Sequence, residues 1–527
     1  MSHSPNRKTL DAIALELVWT RLISAVDEAA KVVVRTSFST LSSEVNDFAC
    51  ALTDAKGLSL AQNTGAVPAF LGALPATARA IMAVFPPETM QDGDVYITNN
   101  PWIATGHLND VSVVQPIFYE RQIVGFATAT AHMPDIGGRI RSTEARELFE
   151  EGFHIPPMRL QRGGAPDASL IQLLRTNVRT PDQTEGDIWA LVTAIGLMAD
   201  RVCRTLDDHE LDGLGEIADE IYDRSEAEFR RCVAALPDGT FHYSMRTDGL
   251  AEPFTFQASV SVAGDAIAVD FAGTSPQQPR ALNCVLAYTS AMTIFALKAL
   301  LLPDLPHNEG IIRAIKVTAP PGSLLNPNFP APVGGRAATG HYVPALVFGA
   351  LADVLPQRVR AASGSPLWIL NLSGINSEGR PFANVFFFSG GTGAGQSQNG
   401  SDCLCWPTNI ASTPVEIGER SAPILIRSKS LRDGSGGPGH HAGGRGQEIV
   451  IESEIDNLTT VFVTERIRFG APGLAGGEDG ARGEVLIDGK PVNTRVQQIV
   501  AKGSVITLRT AGGGGYGAAT ASLAKEG

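Results

Sequence analysis

Two short stretches, Gly106-His107-Leu108-Asn109-Asp110 and Ala131-His132-Met133-Pro134-Asp135, each contain a His followed three residues later by an Asp. Residues 111–130 between them predict a strand, a mostly polar turn at 119–122 and a second strand. A hairpin brings its two ends back to one edge of a sheet, so the two His-x-x-Asp sequences are expected to meet there. Proline cannot donate to a sheet ladder, so Pro116 predicts that the first strand lies at a sheet edge or ends early.

The paired sequences predict a metal site. The imidazoles of His107 and His132, with up to two carboxylates from Asp110 and Asp135, suit a divalent ion such as zinc, manganese or iron. A single His-x-x-Asp is common by chance, and its alternative interpretation is a hydrogen-bonded surface pair. Two copies at the ends of one predicted hairpin favour converging ligands.

Three arginines follow the second motif, in a loop that begins at Gly137-Gly138. They are Arg139, Arg141 and Arg146. These side chains are candidates for contact with an anionic substrate, and a solvated loop face is an equally good interpretation.

Another candidate residue, Asp47, opens a predicted strand, and on the residues alone it is interpreted as a turn or cap.

Composition and charge restrict the class of protein. The chain has 527 residues, 43% of them hydrophobic, which predicts two to four domains with large cores. The net charge of −13 argues against a nucleic-acid ligand, because phosphate binding needs a basic surface. Charged residues are only 18% of the chain, which indicates that a partner subunit covers part of the surface.

Cysteine usage and the N-terminal sequence predict a cytoplasmic protein without a membrane span. The six cysteines are scattered, and the one close pair, Cys403 and Cys405, lacks the second pair that a structural zinc site needs. They are interpreted as reduced, mostly buried thiols. Met1–Lys8 is polar with no apolar signal core behind it, and no uncharged apolar run reaches membrane-spanning length.

The predicted fold class is α+β, with several domains. The chain contains 55 Gly and 33 Pro, which favours many turns and short strands in mixed or antiparallel sheets, with helices in the minority. The predicted domains are a metal-binding α+β domain at 1–238, a middle α+β domain at 239–414 and a β-rich C-terminal domain at 415–527. The clearest helix is the amphipathic segment Thr9–Thr36.

A glycine-rich segment, Ser389–Gly400, does not match a phosphate-binding loop, because no Gly-Lys-Ser/Thr follows it. It is interpreted as a mobile or tightly wound connector.

Several phrases of the sequence, in order over nearly the whole chain, carry a family resemblance. They are Asp47-Phe48-Ala49-Cys50-Ala51-Leu52, Gly93-Asp94-Val95-Tyr96, Asn100-Pro101, Gly106-His107-Leu108-Asn109-Asp110, Ala131-His132-Met133-Pro134-Asp135-Ile136-Gly137-Gly138, Glu151-Gly152-Phe153-His154-Ile155-Pro156-Pro157, Asn177-Val178-Arg179, Thr413-Pro414-Val415-Glu416, Ser435-Gly436-Gly437 and Gly513-Gly514-Gly515-Tyr516-Gly517. Together they resemble the hydantoinase B/oxoprolinase family. That family includes subunits of ATP-dependent N-methylhydantoinases and lactamases, half of 5-oxoprolinase, and subunits of acetone and acetophenone carboxylases.

The resemblance implies a metal site made by Asp47, His107, Asp110 and His132, with Asp135 as an outer ligand. It thus reverses the interpretation of Asp47 as a cap. It also implies a partner of the hydantoinase A type that binds ATP-Mg, in a heterotetramer of two plus two chains. The usual family phrase has Thr and Pro where this sequence has Gly106 and Asn109.

The predicted function is that of a subunit of an ATP-dependent cyclic amidohydrolase. Its substrate would be a hydantoin, a lactam or a 5-oxoproline-like ring, with the carbonyl activated by the ATP-using partner. A divalent metal lowers the pKa of water to about 7, and Asp135 would orient a ligand His or accept a proton. Two alternatives remain open: a subunit of a ketone carboxylase of the acetone or acetophenone type, and a non-catalytic scaffold with a structural metal.

Overall fold

The computed structural model describes residues 11–519. Within this range the α-helices are α1 (Ala12–Thr36), α2 (Thr40–Ser43), α3 (Pro68–Leu71), α4 (Ala73–Val84), α5 (Ala168–Asn177), α6 (Pro181–Asp208), α7 (Gly215–Ala234), α8 (Leu286–Leu301), α9 (Glu309–Arg313), α10 (Ala337–Gly340), α11 (Val343–Ala350) and α12 (Val415–Ser421). Met1–Lys8 and the predicted helix start at Thr9 lie outside the described residues.

The strands form four sheets. They are β1 (Phe48–Asp54), β2 (Ser59–Gln62), β3 (Val95–Thr98), β4 (Asp110–Tyr119), β5 (Gln122–His132), β6 (Met158–Arg162), β7 (Ala165–Pro166), β8 (Gly239–Thr247), β9 (Phe254–Ala263), β10 (Ala266–Asp270), β11 (Ile315–Thr318), β12 (Trp368–Ile375), β13 (Pro381–Phe388), β14 (Ile424–Leu431), β15 (Gln447–Ser453), β16 (Leu458–Val463), β17 (Glu484–Ile487), β18 (Lys490–Pro491), β19 (Gln498–Val500) and β20 (Val505–Arg509).

Helix α1 confirms the predicted helix within the described residues, although Ile13 and Leu17 of its apolar pattern are exposed. The Asp11 side chain caps it by accepting a hydrogen bond from the backbone N–H of Ala14, at 2.7 Å. Its buried face, which includes Val18, Leu22 and Val26, recurs at four-residue steps and packs against α6. No helix within residues 11–519 combines the length and the apolar character needed to cross a bilayer.

The first sheet has the strand order β2-β1-β5-β4-β3-β6-β7 and is antiparallel throughout. The predicted hairpin is confirmed as β4 and β5, joined by Glu120 and Arg121 with φ values of 46° and 68°. Two consecutive residues in the left-handed region are typical of the tight turns whose twist matches a hairpin.

The predicted position of the first hairpin strand is wrong. Strand β4 lies inside the sheet, between β5 and β3, and it runs through Pro116 to Tyr119. Pro116 is tolerated because β3 pairs with β4 only as far as Val114, so Pro116 has a paired strand, β5, on one side only.

The other sheets confirm the α+β class and the β-rich C-terminal part. The second sheet, β11-β10-β9-β8, is antiparallel except for the parallel pair β10–β11. The third, β13-β12-β16-β19, and the fourth, β14-β15-β20-β17-β18, are antiparallel. The domain boundaries stay predictions; the third sheet takes strands from both sides of residue 415. The six cysteines are free, and two of them, Cys50 and Cys284, are buried.

The glycine-rich segment is tightly packed. Gly390–Gly395 is buried and hydrogen-bonds through its backbone to distant extended segments. Examples are Gly391 N–H to the carbonyl of Ala511, Ala394 N–H to Gly514, and Gly513 N–H to Gly444. We call residues 361–364, 390–394, 436–444, 470–480 and 511–517 the glycine bundle. A Cβ on Gly513 would lie 1.9 Å from the carbonyl oxygen of Thr392, so side chains are excluded there.

Candidate metal centre

The hairpin and its neighbour strand place the predicted ligands together. Asp110 is the first residue of β4 and His132 the last of β5, and the two are paired in the sheet register. His107 lies three residues before Asp110, in the loop that leads into β4. Asp47 immediately precedes β1, and its carbonyl accepts the backbone N–H of His132 at 3.0 Å.

His107, Asp110 and His132, the ligand cluster, offer ligand atoms within 4.8 Å of one another. His107 Nε2 lies 2.8 Å from Asp110 Oδ1, and His132 Nδ1 lies 3.2 Å from the same oxygen. Two ligand atoms bound to one zinc ion at about 2.0–2.1 Å are about 3 Å apart. All three side chains are buried, so the donors and their spacing fit a divalent ion.

Asp47 stands at the side of the ligand cluster. Its Oδ2 lies 4.0 Å from His132 Nδ1, and burial raises the pKa of Asp47, which marks a carboxylate in need of a counter-charge. The cavity lined by Asp47, His107 and His132 measures about 30 Å³, which is roughly the room for one or two water molecules. It accommodates an ion and a water molecule.

Two arginines complete the walls of the cavity. Arg336 Nη2 donates a hydrogen bond to Asp110 Oδ2, and its guanidinium lies 4.3 Å from the ring centre of Tyr288. Arg141 Nη1 lies 3.5 Å from His132 Nε2. Asp110 therefore presents one oxygen to the histidines and the other to Arg336. A hydrogen-bonded partner of this kind orients a metal-binding carboxylate.

The electrostatics of the cluster are set by burial and by the arginines. Burial, followed by Arg336, lowers the pKa of His107 well below its usual value, which leaves the imidazole neutral and able to bind a metal. Burial alone would raise the pKa of Asp110, but His107 and Arg336 together hold it well below its usual range. His107 and Asp110 thus have the protonation states that metal ligands require.

Asp135 is tied to a different group. Its Oδ1 accepts a hydrogen bond from Arg179 Nη1 at 2.7 Å, and its Oδ2 accepts the backbone N–H groups of Gly137 and Arg179. Within residues 11–519 none of its hydrogen bonds reaches His107 or His132. These contacts favour a role in holding the loop after β5, and its predicted catalytic role remains a prediction.

Sequence reasoning missed the residues that come from around the short helix α10. Arg336 and His341 flank this helix, and both line the cavity. Burial and the two arginines lower the pKa of His341 to about 3, so its imidazole is neutral. Gly334-Gly335 before Arg336 was the one local signal, and nothing in it indicates contact with a motif some 230 residues earlier.

Fold and site define a class: an α+β protein whose largest antiparallel sheet carries a buried candidate site for one divalent metal. The chain belongs to the hydantoinase B/oxoprolinase family, whose sequence profile matches residues 11–519.

Three comparisons illustrate the relationship. A putative D-/L-hydantoinase subunit from Pseudomonas sp. (strain NS671) is 29% identical, over 97% of this chain and 90% of the relative. The crystal structure of the ATP-dependent caprolactamase from Pseudomonas jessenii superposes with a TM-score of 0.86 at 26% identity, over 97% of this chain and 92% of that one. A nucleotide-free acetone carboxylase structure shares the fold, with a TM-score of 0.85 at 17% identity, over 96% and 76% of the two chains.

Proposed function

We propose that this chain is a subunit of an ATP-dependent enzyme that opens a small cyclic amide by hydrolysis. The substrate class is a hydantoin, a lactam or 5-oxoproline. The ligand cluster of His107, Asp110 and His132 carries the proposal, together with relatives named as a hydantoinase subunit and an ATP-dependent caprolactamase.

The residues of the site supply complementary chemistry. His107, Asp110, His132 and Asp47 would hold one zinc, manganese or iron ion. Such an ion lowers the pKa of water to about 7 and so provides a nucleophile at neutral pH. Burial of the ligand cluster strengthens its electrostatic interactions and limits the entry of bulk water.

The reaction balances with two water molecules for each ring. The partner transfers the γ-phosphoryl group of ATP to the amide oxygen and releases ADP. Water adds to the ring carbon, the carbon–nitrogen bond breaks, and the nitrogen takes a proton, which leaves an acyl phosphate. A second water converts the acyl phosphate to a carboxylate and inorganic phosphate.

ATP binding is assigned to a hydantoinase A-type partner, in a heterotetramer of two plus two chains. This sequence contains no Gly-x-x-x-x-Gly-Lys-Ser/Thr phosphate loop. The relatives named as subunits, and the low charged fraction of 18%, support a covered surface.

Ligand substitutions test the metal site. His107→Ala and His132→Ala are expected to remove bound metal while the fold survives, and Asp47→Asn to weaken metal affinity by roughly 10- to 100-fold. Metal content is measured by plasma mass spectrometry and folding by thermal unfolding. Exposed His242 provides the control, because His242→Ala should keep full occupancy. Full occupancy in both ligand variants would exclude the proposed site.

Reconstitution tests the reaction. The chain is co-purified with a hydantoinase A-type subunit and supplied with ATP and hydantoins, lactams or 5-oxoproline, and ring-opened products are measured. Ring opening that requires ATP and both chains supports the proposal. A carboxylated product that depends on bicarbonate, from a small ketone, would replace hydrolysis with carboxylation. Absence of turnover on every ring would contradict the proposal.

A further inference from the structure

Arg141 is a buried cation that forms no salt bridge within residues 11–519, although the carboxylates of Asp110 and Asp47 act on it from a greater distance. Only 9% of the residue is exposed, and Nε donates a hydrogen bond to the carbonyl of Gly334 at 2.9 Å. Among residues 11–519 no carboxylate forms an ion pair with it, and its Nη2 has no hydrogen-bond partner. A buried guanidinium is costly unless it is paired, so an unpaired one beside a candidate active site indicates a ligand of opposite charge.

Its neighbours in the same loop are satisfied by protein groups. Arg139 and Arg146 both lie within 4.0 Å of the Glu150 carboxylate. Arg336, the other arginine of the cavity, is paired with Asp110. Arg141 therefore stands apart from the arginines around it.

The charge of the site points to a dianion. Asp47 and Asp110, ionised as metal ligands must be, balance the two charges of a divalent ion. The guanidinium groups of Arg141 and Arg336 then remain as two positive charges. A phosphoryl group carries about −1.5 to −2 charge at neutral pH, which matches them. A neutral ring carbonyl does not.

We propose that Arg141 binds the phosphoryl oxygens of the activated substrate, a ring whose amide oxygen carries the phosphoryl group received from ATP. This inference rests on the proposed function and names the form of the substrate that the site recognises. Guanidinium suits the role because its planar fork of N–H groups pairs with two phosphate oxygens at once.

The terminal nitrogens of Arg141 differ in their contacts. Nη1 lies 3.5 Å from His132 Nε2, and Nη2 forms no hydrogen bond within residues 11–519. A phosphoryl oxygen at this guanidinium would therefore meet a terminal nitrogen that no described protein group uses.

Arg141 lies between two small cavities of about 30 Å³ and about 10 Å³, each with room for water but not for a phosphoryl group while the side chain stays where it is. It lines the metal cavity and a second cavity that is bounded by Asn109, Asp135 and Asn371. The segment 137–143 that carries it has no helix or strand. Among residues 11–519, Arg141 is the one residue that lines both cavities.

Phosphate binding tests the inference on the full chain loaded with metal. Isothermal titration calorimetry with inorganic phosphate is carried out on wild type, Arg141→Gln, Arg141→Lys and the loop control Arg139→Gln. We expect Arg141→Gln to weaken phosphate binding by roughly 10- to 100-fold, the loss of one or two charged hydrogen bonds. Arg141→Lys should lose part of the affinity and Arg139→Gln almost none. Metal content should be unchanged in all variants.

Wild-type phosphate affinity in Arg141→Gln would overturn the inference, as would a loss that disappears when metal is restored. These outcomes are independent of the proposed function. If Arg141→Gln binds phosphate normally while the reconstituted complex still opens rings, only the inference fails. If phosphate binding depends on Arg141 but no ring is opened, the anion site stands and the proposed function fails.

Discussion

At the scale of single residues, Asp110 divides its two oxygens between the histidines and Arg336. The arrangement depends on Gly106. This residue has φ of +101°, and a Cβ on it would lie 2.7 Å from Arg336 Cδ. Any side chain at position 106 would therefore crowd Arg336 on its path toward Asp110.

Gly106→Ala should displace Arg336 and disturb Asp110. We expect a loss of about 1–3 kcal/mol in the free energy of unfolding from crowding, added to about 1–2 kcal/mol for the left-handed backbone. Metal affinity should fall as well, because Asp110 loses its orienting partner. The measurements are urea unfolding and metal titration.

Gly164→Ala is the matched control. Gly164 has φ of +84°, and a Cβ there meets nothing within 4 Å, so this variant reports the backbone cost alone. Equal losses in the free energy of unfolding of the two variants, with unchanged metal affinity, would show that Gly106 does not influence the metal site.

Only some residues of the candidate metal site could be predicted from the sequence. His107, Asp110 and His132 could be placed together because a hairpin fixes the distance between its own ends, and the turn is local. Asp47 needed the family resemblance, since β1 reaches β5 from a distant part of the chain. Arg336 and His341 could not be assigned to the site from the sequence, because hydrophobic periodicity does not indicate which loop packs over a sheet edge.

At the scale of elements, Glu151 joins the loop before β6 to the segment before α10. Its Oε1 accepts the backbone N–H of Gly334 at 2.7 Å, and its Oε2 has no partner. Gly334 in turn accepts the hydrogen bond from Arg141 Nε. Burial raises the pKa of Glu151 to about 8, against a reference value of 4.5, although the backbone hydrogen bonds and Arg141 lower it. The carboxyl is thus protonated in the folded protein at neutral pH.

This protonation should make stability fall as pH rises from about 4.5 to about 8. In that window the unfolded chain releases the Glu151 proton while the folded chain keeps it, so the free energy of unfolding falls by at most about 1.4 kcal/mol per pH unit. Glu151→Gln should show a flatter profile in urea unfolding between pH 5 and pH 8.5. Exposed Glu147→Gln should keep the wild-type slope. A wild-type slope in Glu151→Gln would assign the dependence to other groups.

The glycine bundle is held by backbone groups, and so it tolerates no side chain at its centre. Gly513→Ala would place a Cβ 1.9 Å from the Thr392 carbonyl oxygen and should cost about 3 kcal/mol or more, because backbone must move. Gly215→Ala, at a helix start where a Cβ meets nothing within 4 Å, should be neutral or slightly stabilising. The midpoint of denaturant unfolding measures both. Equal midpoints would contradict the packing described for the bundle.

At the scale of the whole molecule, the α+β class and the β-rich C-terminal part followed from the many Gly and Pro residues and the alternating patterns. The glycine bundle could not be predicted from the sequence. A glycine-rich segment has the same composition whether its backbone is solvated or hydrogen-bonded to other segments. The interior position of β4 was also missed, since Pro116 forbids pairing on one side only.

The assignment of ATP to the partner subunit predicts that the isolated chain has no ATPase activity. Purified alone, the protein should release no phosphate from ATP above background, because the sequence lacks a phosphate-binding loop. Activity should appear when a hydantoinase A-type subunit is added. A malachite-green phosphate assay measures it, with the His107→Ala variant as a check for contaminating ATPases. Steady ATP hydrolysis by the chain alone, equally present in a second independent preparation, would contradict the assignment of ATP to the partner.

The glycine bundle has a consequence for the order of events during synthesis. The backbone N–H groups of Gly513 and Gly514 donate hydrogen bonds to the carbonyls of Gly444 and Ala362. Segments that are synthesised early therefore lack their hydrogen-bond partners until residues 511–517 have been synthesised. A nascent chain that has not yet delivered residues 511–517 from the ribosome holds unpaired backbone at 361–364 and 390–394. Contacts of such long sequence separation form slowly, and unpaired backbone invites association with other chains. This half of the protein therefore completes its packing only after residues 511–517 have emerged, and truncation before residue 511 should yield aggregates.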